Sequence, residues 1–193
     1  MYSVPLRRAP VPMGGLVLAL ALSLPAPVAA QQFFTKSELL ADMFATASRV
    51  EPVTLAVKPR DQRRAREVLG GPLPLDEYVF YRALRDGEVV GYCLFDDQMG
   101  QNEPITFGVQ LDTEGTVLRV EVVTYREDGG QGITNGGFRS QFEGKDHDDP
   151  LSLGQDIVAV SGATYSSRAT TVVVRRASFL TRLLVEKEEA ESS

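Results

Sequence analysis

The chain has 193 residues, 20 basic and 26 acidic, with one cysteine, one histidine and 43% hydrophobic residues. That is enough for one domain with a real core, and the hydrophobic share excludes wholesale disorder. A net charge of −6 opposes binding to nucleic acid or anionic lipid by bulk attraction, and one cysteine excludes an internal disulfide, an iron–sulfur cluster and a structural zinc site.

Residues 1–30 read as a cleavable export signal. Arg7 and Arg8 give a positive start, Gly15 to Leu24 an apolar run, and Val28-Ala29-Ala30 the small residues before a cleavage point. The run is about ten residues long, short of the roughly 20 that span a bilayer. An uncleaved membrane anchor is the alternative, opposed by Pro25 and Pro27. The expectation is an exported protein, periplasmic or extracytoplasmic, whose mature chain carries a net charge near −8 once Arg7 and Arg8 are lost.

Residues 31–186 read as one domain and 187–193 as a charged, flexible tail. Thr35-Lys36-Ser37-Glu38 is a capping box, and the apolar spacing after it predicts a helix over 36–48. Val53–Val57 is a short strand. Pro59–Leu69 is a second helix rich in arginine (Arg60, Arg63, Arg64, Arg66), read as a solvated face, and Gly70-Gly71 stops it. Four strands follow: Glu77–Leu84, Val89–Phe95 across an Asp86-Gly87 turn, Ile105–Leu111, and Val117–Tyr125. In the last, Leu118, Val120 and Val122 share one face, so the sheet is expected to keep one wet side. Cys93 falls inside a strand and reads as buried. Gly130-x-Gly132-x-x-x-Gly136 misses the dinucleotide fingerprint and reads as a loop beside a site. His147, among Asp146, Asp148 and Asp149, reads as part of a solvated acidic loop, neither catalytic nor metal-binding. Ala169, Val172, Val173, Arg176, Ala177, Leu180, Leu183 and Leu184 mark one face of a long helix. The fold class is α+β: an antiparallel meander sheet packed by a long C-terminal helix and shorter N-terminal helices.

The stretch Asp156–Ala169 organises the rest. Ile157–Val160 reads as strand, breaks at Ser161-Gly162-Ala163-Thr164, and opens the long helix through Ser166 and Ser167. A helix opened at small residues presents unpaired N–H groups at its positive end, a place suited to a phosphate. A tight turn with a capping hydroxyl is the plain alternative.

Residues from about 48 to 184 resemble the FMN-binding domain family. That family includes the covalently flavinylated C subunit of the sodium-pumping NADH:quinone reductase and the G subunit of the Rnf complex. The matching stretches include Gly91-Tyr92 with Phe95-Asp96-Asp97, Glu103–Phe107, Tyr125-Arg126-Glu127 to Gly129-Gly130, Phe138-x-x-Gln141-Phe142, and Ser161–Thr164 with Ser166–Ala169. The resemblance implies FMN as cofactor, esterified through its phosphate to Thr164 by a separate flavin transferase that draws on FAD. It makes Ser161, Gly162, Ala163, Ser166 and Ser167 residues of the phosphate end, and Glu103, Tyr125 and Gly130 residues near the ring. The chain departs from the covalent pattern at Val158, where an acid is usual and Asp156 is the nearest one, and at Asn102, where many relatives have histidine.

The function so implied is an extracytoplasmic electron carrier between membrane or periplasmic redox proteins, with no catalytic residue of its own, no metal and no nucleic acid. A flavin-free assembly module of an envelope redox complex and a small flavoreductase are the alternatives. A hydrolase is unsupported: Gly-x-Ser-x-Gly is missing, and so is a base.

Overall fold

The computed structural model describes residues 30–192. The signal segment lies outside the described residues apart from Ala30. Among the described residues no helix is long and apolar enough to cross a membrane.

Two short helices and two strands come first. A two-residue strand β1 (Gln31–Gln32) precedes α1 (Lys36–Met43). The Thr35 hydroxyl accepts the Glu38 N–H at 3.2 Å and the Glu38 carboxylate accepts the Thr35 N–H at 2.8 Å, the reciprocal cap read in the sequence. The helix stops at Met43, short of residue 48, because Ser48 is already committed: its N–H donates to the Leu84 carbonyl as the chain enters β2 (Arg49–Ala56). Then α2 (Pro59–Leu69) starts on proline and ends on Gly70.

β3 (Glu77–Arg85), β4 (Glu88–Met99), β5 (Pro104–Leu111) and β6 (Val117–Tyr125) complete a six-stranded sheet ordered β1-β6-β5-β4-β3-β2, every pairing antiparallel. The β3–β4 hairpin turns on Asp86 and Gly87, both with positive φ (54° and 89°), the geometry that Asp-Gly favours. The register of β5 and β6 shifts at two points, one beside Val117. That shift puts Val117, Val120 and Val122 in the core and leaves Leu118 45% exposed, against the expected alternation.

A short α3 (Gly136–Arg139) leads through loops to α4 (Thr164–Ser192), 29 residues and about 44 Å long. This helix lies across β4 and β5 and seals the larger core, with Phe80, Leu94, Phe107, Val109 and Leu111 beneath it. The expected wet side is partly covered as well: α1 buries Leu39, Met43 and Phe44 against Ala83, Cys93 and Val123. Cys93 is fully buried, 3.8 Å from the Met43 sulfur, and burial pushes its thiol pKa up.

The buried surface of α4 is wider than one stripe. Val174 and Phe179 are buried, while Val172 is 40% exposed. The acidic loop packs along one flank, where the Ser178 hydroxyl accepts the His147 N–H and the His147 ring meets Phe179 edge-on; α2 packs along another. Arg176, expected on the apolar face, is buried and pairs with buried Asp96 at 2.6 Å. Its other nitrogens reach the Asp97 carbonyl and Gln98. β4 runs past its pairing with β3, which stops at Phe80 and Leu94, and Arg176 ties that overhang to α4. Removing one partner of such a buried pair costs about 3–5 kcal/mol.

Two other expectations change. Ile157–Val160 forms no strand, only a single bridge from Ile157 to Leu153. The Asp156 carboxylate gathers the Leu151 and Ser152 N–H groups and pairs with Lys145, which curls the segment into a loop. The α4 helix also continues through the segment read as a tail. Lys187 pairs with buried Asp61, and Glu188 with Arg82 and the Tyr92 hydroxyl. Of the α2 arginines, Arg64 bonds Glu186 through two nitrogens and Arg60 lies 3.5 Å from Asp61.

Candidate functional site

The N-terminus of α4 opens into a cleft of about 240 Å³. Three segments build it: Gln101 and Asn102 at the β4–β5 turn, Glu127–Gly130 after β6, and Gly162–Ser166 at the helix start.

The helix start is shaped by small residues and inward hydroxyls. Gly162 takes a φ of +74°, Ala163 donates its N–H to the Val160 carbonyl, and α4 begins at Thr164. The Ser167 hydroxyl is buried and accepts the Val160 N–H at 3.1 Å, which fixes the turn from beneath. The first-turn N–H groups of a helix have no intrahelical acceptor, and Thr164 and Tyr165 stand exposed beside theirs.

The opposite wall hangs on β6. The Tyr125 hydroxyl donates to the Gly129 carbonyl and accepts from the Ser166 hydroxyl at 2.9 Å. Burial is the main cause of a raised Tyr125 pKa, with the bond from Ser166 opposing it and the Glu127 charge adding to it. Gly130 has a φ of +85°, and a Cβ there would lie 2.7 Å from the Tyr125 hydroxyl and 2.9 Å from that of Ser166. Only glycine fits that wall. Glu127 is buried, and one of its oxygens accepts the N–H groups of Asn102 and Glu103 at 2.8 and 3.2 Å. One carboxylate thus fastens the β4–β5 turn to the glycine loop.

Of the residues singled out in the sequence, Gly130, Gly162, Ala163, Thr164 and Ser166 come together in the lining. Tyr125 acts from behind the wall through its hydroxyl. Ser161 is exposed outside the lining, Ser167 faces inward to Val160, and the Glu103 side chain is exposed and touches the cleft wall only through its backbone. Sequence reasoning passed over Gln101, Asp128 and Tyr165 and gave Glu127 no role. The run Glu127-Asp128-Gly129-Gly130 was the available signal, an acid pair entering a glycine turn.

Residues 100–178 match the family model described as the FMN-binding domain. This region is an FMN-binding domain. The match runs from the β4–β5 turn to the middle of α4 and so includes all three segments of the cleft. The fold is similar to that of Shewanella oneidensis NqrC, at 16% identity and a TM-score of 0.53, over 82% of this chain and 91% of that one. The NqrC-type protein of Parabacteroides distasonis, from its Na(+)-translocating NADH-quinone reductase, is also similar, at 18% identity and a TM-score of 0.47 over 69% of this chain and 77% of that one. No curated protein matches the chain. FMN is the cofactor of the domain. The residues fit its phosphate end: unpaired helix N–H groups, a threonine hydroxyl at the first position, and glycine and alanine where a side chain would crowd it.

Asp146, His147 and Asp148 bring three possible metal-ligand atoms within 4.8 Å of one another, but these residues dock their loop on α4 through Ser178 and lie outside the cleft.

Proposed function

We propose that the protein is an exported electron carrier whose FMN is esterified through its phosphate to Thr164. The observation that carries this is the position of Thr164: first residue of α4, exposed, in the cleft, and inside the region that matches the FMN-binding domain. In the ester the Thr164 hydroxyl oxygen bonds the flavin-side phosphorus of FAD as the bond to the adenylate breaks; AMP leaves, and the hydroxyl proton goes to solvent or to the transferase. Asp156 is bound to Lys145 and two backbone N–H groups, so a transferase meets this chain with Val158, 74% exposed, where covalent relatives offer an acid.

FMN supplies one- and two-electron chemistry when bound. The chain's own residues hold it. The α4 amides would hold its phosphate, while Tyr125 and Ser166 lock the glycine wall and Glu127 keeps the turn at Asn102 in place. Among the described residues the lining has no histidine to relay protons, which favours passing electrons between proteins over turning over a small substrate. The NqrC-like fold supports redox proteins of a membrane complex as partners. The signal pattern at 1–30 supports a periplasmic or extracytoplasmic place.

The test is the intact mass of the protein purified from its native host. Wild type should carry the added mass of an FMN ester and stay yellow in an acid pellet, and Thr164→Ala should lose both. Wild type without that mass refutes the ester. A colourless protein that also fails to take up flavin refutes the carrier and leaves an assembly module.

A further inference from the structure

The side-chain charge around the cleft suits a phosphate diester better than the dianion of free FMN. Free FMN carries a phosphate monoester with a charge of about −1.5 to −2 at neutral pH. Two carboxylates, Glu127 and Asp128, line the cleft, and among the described residues no Lys, Arg or His lines it. Asp128 is exposed and has no hydrogen bond or ion pair among the described residues. Three other cations are engaged elsewhere. Arg126 donates to the Pro104 carbonyl and Thr106, Arg139 pairs with Glu121, and Lys145 pairs with Asp156. Arg168 stands one turn along α4, exposed and outside the lining. Within the lining, the attraction left for a phosphate comes from backbone N–H groups, equivalent to about half a positive charge at a helix end.

We propose that the cleft discriminates by phosphate charge: it accepts a flavin whose phosphate bears one negative charge or none, and disfavours free FMN, with Asp128 as the discriminating residue. The inference rests on the flavin reading above. Esterification to Thr164 removes about one charge from the phosphate, so the bond makes the cofactor electrostatically acceptable as well as permanent. It also follows that the cleft resists filling by loose FMN, which leaves the site free for a transferase to load.

The experiment uses the full chain made in cells without a flavin transferase. Riboflavin and FMN are titrated separately and followed by quenching of flavin fluorescence, at low and high salt. Riboflavin should bind at least as tightly as FMN at low salt. Added salt should strengthen FMN binding and leave riboflavin unchanged, because only FMN is repelled. Asp128→Asn should raise FMN affinity several-fold with riboflavin unaffected; the salt series on the unmutated chain gives the same information if the variant folds poorly. FMN binding tighter than riboflavin at low salt overturns the proposal, and if Arg168→Gln abolishes that preference, Arg168 is the phosphate's counter-ion. Failure of riboflavin to bind overturns it too. The flavin reading is decided separately, by the mass and colour of the native protein: a yellow native protein keeps it whichever way these titrations fall.

Discussion

The Tyr125 hydroxyl and the Ser166 hydroxyl meet at 2.9 Å, joining residues 41 positions apart in sequence. The Tyr125 proton is given to the Gly129 carbonyl, so Ser166 is the donor between them. One phenol thereby sets the distance between the end of β6, the glycine wall and the first turn of α4. Tyr125→Phe removes both bonds and leaves a carbonyl and a hydroxyl to find water. A loss of about 1–3 kcal/mol is expected from chemical denaturation, with faster amide exchange at residues 128–132. Unchanged exchange there would show that the wall stands without this bond.

The two adjacent glycines should respond differently. A Cβ on Gly129 meets nothing within 4 Å, whereas on Gly130 it meets the Tyr125 and Ser166 hydroxyls in a backbone conformation of positive φ. Gly129→Ala should change stability by less than about 1 kcal/mol, while Gly130→Ala should cost about 1–3 kcal/mol and weaken flavin retention. Thermal melts of the two variants side by side test this, and equal melting points would contradict it.

Glu127 is assigned a clamping role that needs an acceptor oxygen and not a charge. Glu127→Gln keeps an oxygen for the Asn102 and Glu103 N–H groups, and Glu127→Ala does not. Amide exchange at residues 101–104 should accelerate markedly in the alanine variant and stay near wild type in the glutamine variant. Equal acceleration in both would mean that the charge holds the turn.

Acid should loosen the end of α4 through Asp61. Burial acts to raise its pKa, but the Lys187 ammonium and the Lys58 N–H outweigh burial and hold it below the ordinary aspartate value. The folded pKa is therefore the lower one. The stability Asp61 contributes is fully present above about pH 4, the ordinary carboxylate range, and is lost as the pH falls through the depressed value. Lys187→Met should destabilise the protein at neutral pH by leaving buried Asp61 with only the exposed Arg60 at 3.5 Å, and should flatten the acid limb of stability against pH. An acid limb identical to wild type would remove Asp61 from the account.

Much of the fold was legible in the sequence. The Thr35 capping box, the proline start of α2, the Asp86-Gly87 turn and the alternation from Ile105 to Leu111 are local signals, and each names an element found within a few residues of its expected bounds. The helix start was legible for the same reason, read at Ser166 and Ser167 and found at Thr164, since Gly162 and the hydroxyl cluster act on their own neighbours. What went astray depended on distant partners. Ile157–Val160 has the apolar run of a strand but pairs with no strand of the sheet, and Asp156 folds it into a loop by reaching Lys145. Leu118 faces solvent because a register shift near Val117 is a property of two strands together. The charged end of α4 reads as a fraying tail until Asp61, Arg82 and Tyr92 are seen waiting for Lys187 and Glu188.

The sequence by itself determined most of the elements and the family, and singled out Thr164 as the hydroxyl to test, because helix caps, turn glycines and motif spacing act over a few residues. Only the tertiary structure decided that Glu127 fastens one wall of the cleft, that Tyr125 fastens another from behind, that Ser167 and Glu103 turn their side chains elsewhere, and that the charged side chains lining the cleft among the described residues are acidic. The two fastenings join residues 25 and 41 positions apart, and such distances exist only after the sheet and α4 have packed.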